Sequence, residues 1–161
     1  MEYRLHPIGR VEKEQDSVVI KLEPCYAPAL TGLAEYSHVQ ILWWFSHTDD
    51  ADSRSRTLVR CPYLGAPQTL GVFATRTPFR PNPIALSCSR ILKVDVAAGR
   101  LVLERCDAQE GTPIIDLKPY APSSDRVENP VVPGWSAHWP NSLEASEAYD
   151  WEREMDPDFH Q

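Results

Sequence analysis

Arg76, Arg80 and Asn82 fall within one short segment that also holds Pro78, Pro81 and Pro83. Two guanidinium groups offer planar forks for a carboxylate or a phosphate, and an amide offers both a donor and an acceptor. The prolines fix φ near about −65° and push Thr77, Arg80 and Asn82 toward extended backbone, so the loop is stiff before it meets anything. Its polar groups then have little ordering entropy left to lose on binding. A second concentration lies downstream, where Glu110-Gly111-Thr112-Pro113 reads as a turn whose glycine permits close approach. Asp116, Lys118 and Tyr120 follow at alternate positions. Asp116 and Lys118 suit an ion pair with neighbours as well as they suit proton transfer, and spacing alone does not choose between these.

Both segments match a known pattern. Residues 71–87, GVFATRTPFRPNPIALS, resemble the signature GVFATRSPxRPNPIGLS of the TsaA-like, or TrmO, family of S-adenosylmethionine-dependent tRNA methyltransferases. Residues 107–120, DAQEGTPIIDLKPY, resemble the same family's D-x-x-D-G-T-P-x-x-D-I-K-P-Y block. Thr77, Ala85 and Glu110 stand where the family usually has Ser, Gly and Asp. Pro7-Ile8-Gly9-Arg10-Val11 fits the P-I-G-x-V segment that opens the family's domain, and Gly134-Trp135 fits the Gly-Trp near its end.

The resemblance implies S-adenosylmethionine as cofactor and N6-methylation of threonylcarbamoyladenosine beside the anticodon of a tRNA. It also implies a homodimer. Such a cofactor brings its own reactive methyl, which leaves the protein to place it and to take a proton from the acceptor. The cofactor residues expected are His47, Phe73, Ala74, Thr75, Arg76, Leu86, Glu110, Gly111, Thr112 and Pro113. His47 follows from the family's Phe-His at the end of the corresponding strand, Glu110 is placed to take ribose hydroxyls, and Leu86 supplies an apolar wall. Arg80 and Lys118 are assigned to the acceptor, and Asp116, Tyr120 and Asn82 to catalysis. Two other readings keep the cofactor: a transferase acting on a small molecule, and a non-catalytic S-adenosylmethionine-binding protein.

Composition narrows the class. A chain of 161 residues with 42% hydrophobic content suits one domain with a substantial core. No apolar run approaches the length of a membrane span, and MEYRLHPIGR lacks the pattern of a secretory signal, so a cytoplasmic protein is expected. Cys25, Cys61, Cys88 and Cys106 form no C-x-x-C pair and the five histidines show no ligand spacing, so no metal is expected. The net charge of −7 is concentrated in residues 136–161, which hold seven acids against Arg153 and leave residues 1–135 at −1. A near-neutral body with local arginines is compatible with RNA.

Short β-branched stretches at Tyr3–Val11 and Val18–Leu22 read as a hairpin, and SHVQILWWFSH (37–47) as a central strand. Residues 24–36 suit one or two helical turns. Asp49–Thr57 reads as an exposed loop or frayed helix, and Arg54, Arg56 and Arg60 form a basic cluster that suits a solvated surface first and a phosphate second. Ile84–Val96 and Leu101–Cys106 read as a second hairpin. Strands at short intervals with small helical pieces argue for a mainly β fold, an antiparallel barrel or sandwich, and the resemblance implies the barrel. The expected domains are a barrel over 1–135 and an acidic tail over 136–161, with a helix over 141–155 capped by Asn141.

Overall fold

A computed structural model of the chain describes residues 3–159. Six of its strands close a barrel: β1 (Gly9–Glu14), β2 (Ser17–Leu22), β3 (His38–Trp44), β6 (Ile84–Asp95), β7 (Arg100–Leu103) and β8 (Pro113–Pro119). The order around it is β1-β2-β7-β6-β3-β8, and every pairing is antiparallel. The expected barrel is therefore the fold, and β3 is central, held between β6 and β8. Two further strands, β4 (Leu58–Arg60) and β5 (Thr69–Gly71), form a separate antiparallel pair.

Period-two alternation builds the interior. Along β3 the side chains of Val39, Ile41 and Trp43 are buried while His38, Gln40, Leu42 and Trp44 are only partly covered. Ile20, Leu101, Leu103 and Ile114 meet them in the core at 0% exposure, each contributing about 1.5–3 kcal/mol by leaving water. The β1–β2 hairpin opens at Gly9, paired with Leu22, where a Cβ would collide with the Lys21 carbonyl.

A bulge changes the facing of β8. Leu42 pairs with Asp116, but the next residue of β3, Trp43, pairs with Ile114, so Ile115 is an extra residue. Bulges re-aim side chains. Ile114 enters the core, whereas Asp116, two positions on, turns outward with 44% of its side chain exposed.

The chain divides into two compact units. The first comprises the residues up to Ser55 together with Pro78–Arg126 and contains the whole barrel. The second comprises Arg56–Thr77 and the residues from Val127 onward. Within the second, β4 and β5 accompany α3 (Leu143–Glu147) and an aromatic group. Trp139 packs edge-on against Tyr63, Trp135 and Trp151, with ring centroids 4.7, 5.1 and 5.2 Å apart.

The helix expected over 141–155 is shorter than that. Ser142, not Asn141, caps α3 by accepting from Ala145 N at 3.1 Å, and Trp151–Glu154 is a separate 3-10 turn. Side-chain bonds compete with a continuous helix here. Glu154 accepts from Trp139 Nε1 and His138 Nε2 at 2.9 Å and from Tyr149 Oη at 2.7 Å, while Trp151 Nε1 donates to Ser146 O. The donors, Tyr149 first and then Trp139, hold the Glu154 carboxyl at about 2, below its ordinary 4.5. Because the folded-state value is depressed, the stabilisation is complete above about 4.5 and disappears as the pH falls toward 2. Tryptophan fluorescence is expected to stay constant from pH 7 to 5 and to change on approach to pH 2. Glu154→Gln should abolish that acid transition.

Candidate functional site at one rim of the barrel

Strands β6 and β8 run antiparallel to β3, so both begin at the end where β3 finishes. That topology collects Phe45–Thr48, Pro78–Pro83 and Glu110–Pro113 at a single rim. His47, Arg80, Asn82 and the Glu-Gly-Thr-Pro turn, predicted from separate parts of the sequence, therefore meet there. One rung further along, Leu86, Leu42 and Asp116 form a row across the outer face, because Leu42 is in register with both of the others. At the spacing of neighbouring strands the row spans about 10 Å.

The proline loop is fastened from the β3 side. Pro83 is buried and its carbonyl accepts from Phe45 N at 2.8 Å. Thr48 Oγ1 donates to Pro78 O at 3.4 Å, and Arg54 Nε donates to Pro81 O at 3.1 Å. Arg54 is itself aimed by Asp49, whose Oδ1 is 2.9 Å from Nη1, while Asp49 Oδ2 accepts from Trp44 Nε1 at 2.9 Å. The guanidinium also stands 6.0 Å from the Trp44 ring centroid.

Arg54 is exposed, as expected, and the helical turn α1 (Ala51–Ser55) also carries it to the loop. The turn forms because Asp50 accepts from both Ser53 N and Ser53 Oγ, a capping arrangement that the Asp50-x-x-Ser53 spacing encodes. Arg54→Ala is expected to leave the barrel intact and to speed amide exchange at Asn82 and Ile84 about fivefold, the loss of roughly one hydrogen bond. Hydrogen exchange read by mass spectrometry checks this.

The second motif is fastened to β1. Gly111 N donates to Val11 O at 2.9 Å, Val11 N donates to Thr112 O at 3.0 Å, and Thr112 is buried. Glu110 Oε2 accepts from Lys13 N at 2.5 Å, which fixes the carboxylate and leaves Oε1 for another donor. Gly111 has φ +77°, a left-handed conformation, and no atom lies within 4 Å of where its Cβ would be. Open space above a left-handed glycine, beside an anchored carboxylate, leaves room for a hydroxylated ligand. Leu86, 44% exposed, offers apolar surface on β6 in the row with Leu42 and Asp116. His47 is exposed in a 3-10 turn, Ser46–Thr48.

Not every expected residue sits at this rim. Asp116 Oδ2 pairs with Lys118 Nζ at 2.6 Å and Oδ1 accepts from Leu117 N at 2.9 Å. The bond to Asp116, and then its charge, push the Lys118 ammonium above its ordinary value. Tyr120 lies four residues beyond Asp116, about 13 Å along the strand, with its ring edge-on to His38. It belongs to the far end of the face. Phe73, Ala74, Thr75 and Arg76 belong to the second unit. There Val72 N donates to Thr57 O, Thr75 Oγ1 accepts from Thr77 N, and Phe73 is 85% exposed. Among the described residues no helix is long and apolar enough to cross a membrane, and no group of three or more His, Cys, Asp or Glu is arranged to hold a metal.

A closed six-stranded antiparallel barrel with its polar loops gathered at one rim defines a small antiparallel barrel domain. Residues 4–126 match the tRNA-methyltransferase O N-terminal domain, and the chain belongs to that family. It is 37% identical over 123 residues to the tRNA (adenine(37)-N6)-methyltransferase of Escherichia coli, covering 75% of this chain and 49% of that protein. It is 35% identical over 131 residues to the "Probable S-adenosyl-L-methionine-binding protein" of Methanocaldococcus jannaschii, covering 81% of this chain and 99% of that one. The crystal structure of TrmO from Pseudomonas aeruginosa superposes with a TM-score of 0.62 at 30% identity, over 81% of this chain and 62% of that one. The chain spans about half to six-tenths of the length of the bacterial relatives it matches.

Proposed function

We propose that the chain binds S-adenosylmethionine at the β3–β6–β8 rim and methylates the N6 of an adenine beside the anticodon of a tRNA, with threonylcarbamoyladenosine as the acceptor. The observation that carries this reading is the meeting of the Glu-Gly-Thr-Pro turn and the Arg-Pro-Asn-Pro loop at one end of the barrel, one rung from Leu86 and Asp116. Family membership and the names of the relatives support it.

The donor, when bound, supplies an activated methyl on a positive sulfur. Glu110 Oε1 takes the ribose hydroxyls, Gly111 lets the nucleoside approach the backbone, Thr112 and Pro113 hold the turn's shape, and Leu86 covers the apolar side. His47 is assigned to the cofactor from the family resemblance. Asn82 and Asp116 hold the acceptor N6, and Asp116 takes its proton. Arg80 and Lys118 meet the anionic groups of the acceptor. Tyr120 steadies the far end of the face through His38.

The reading includes a cytoplasmic homodimer, which sedimentation of the purified chain checks. Its direct test is incubation of the chain with S-adenosylmethionine and tRNA lacking the N6-methyl, followed by nucleoside mass spectrometry. Threonylcarbamoyladenosine should gain one methyl group. Cofactor binding with no methyl gain would leave the chain a binding protein and overturn the methyltransferase assignment.

A further inference from the structure

Arg60, from the basic cluster, and the acidic stretch over residues 136–161 meet in the second unit. Residues 154–156 lie against residues 62–64: Leu64 N donates to Glu154 O at 2.9 Å, Asp156 N donates to Pro62 O at 2.7 Å, and Met155 bridges Tyr63. Asp156-Pro157-Asp158-Phe159 then turns back, as Asp followed by Pro favours. Phe159 N donates to Asp156 O at 2.9 Å and Asp158 N to Asp156 Oδ1 at 3.0 Å, which closes the turn.

Three groups of that turn meet one guanidinium. Arg60 Nη2 stands 3.5 Å from Asp156 Oδ2 and donates to Asp158 O at 3.3 Å, and its Cζ lies 5.3 Å from the Phe159 ring centroid. An anion at the edge of a guanidinium and a flat ring over its face are what a nucleotide offers an arginine, as phosphate and base. The tail supplies stand-ins for both. They are held loosely, because the ion pair is long and its side chains are 43% and 31% exposed to competing water. A phosphate belongs to a polyanion whose counterions are released on binding, so it can displace the carboxylate. Moving these side chains leaves the backbone bonds of Leu64 and Asp156 in place.

We propose that Arg60 is a phosphate contact for tRNA and that the Asp156–Phe159 turn is a cover over it, displaced when the RNA binds. This contact rests on the tRNA reading given above and adds an RNA-gripping residue on the second unit.

Fluorescence anisotropy of labelled, unmethylated tRNA titrated with the full chain across a salt series tests it. At about 0.1 M salt the double variant Asp156→Asn, Phe159→Ala is expected to bind about fivefold tighter than the parent chain, with a log–log salt slope steeper by about one. Asp156→Asn alone keeps every backbone bond of the turn and should tighten binding about twofold. Arg60→Gln in the double variant should return affinity and slope to the parent's values. Unchanged affinity in the double variant, a gain that survives Arg60→Gln, or an equal gain from Glu152→Gln, an exposed acid of the same tail, would overturn the proposal. A gain for a poly-glutamate peptide in place of tRNA would assign the covered arginine to a protein partner and overturn the RNA contact. Should parent and variants alike bind no tRNA, the tRNA reading falls and the contact with it; should all methylate tRNA with equal affinity, the cover alone falls.

Discussion

Asp116→Asn is expected to lower methyl transfer about 100-fold or more while cofactor affinity changes less than about threefold. The bulge at Ile115 turns this carboxylate outward into the row with Leu42 and Leu86, with Lys118 Nζ 2.6 Å away. An amide of the same shape keeps an acceptor for Leu117 N but cannot take a proton from the acceptor amine. Steady-state rates with tRNA, alongside calorimetric titration of the cofactor, separate the two effects. Unchanged turnover would reduce Asp116 to a cover for the β8 edge and a partner for Lys118.

Gly9→Val is expected to destabilise the chain by about 3 kcal/mol, lowering the thermal midpoint by about 6–12 °C. The atoms in the way are backbone: the carbonyl of Lys21 and, at 2.8 Å, Leu22 Cα. Neither moves without disturbing the register that joins β1 to β2 and, through Ile114, β1 to β8. Gly134→Ala is the control, since no atom lies within 4 Å of that Cβ and its φ is not positive; it should stay within about 0.5 kcal/mol. Calorimetric unfolding of both variants decides the matter, and equal midpoints would mean that the β1–β2 seam does not limit stability.

Much of the barrel was legible because its signals are local. The apolar alternation of His38–Trp44 and the turn at Ala97–Gly99 between β6 and β7 name their strands without help from the rest of the chain. The two motifs were legible as stiff loops for the same reason, since proline and glycine act on their own backbone. The facing of β8 was not. A regular strand puts Ile114 and Asp116 on one face, and only pairing with β3 reveals the extra residue that separates them. Arg54 was missed because its task depends on Asp49 and Pro81, residues that the sequence gives no reason to bring together. The tail reads as a helix by its spacing, yet the Glu154 carboxylate is engaged by His138, Trp139 and Tyr149, side-chain bonds that compete with a continuous helix.

The central claim is that the rim formed by the ends of β3, β6 and β8 holds the methyl donor. A crystal structure of the chain grown with S-adenosylmethionine measures this most directly. Density for the nucleoside over Gly111, with its ribose on Glu110 and its apolar side toward Leu86, is the result predicted. Density at another place on the barrel, or a chain that takes up no cofactor at saturating concentration, would contradict it.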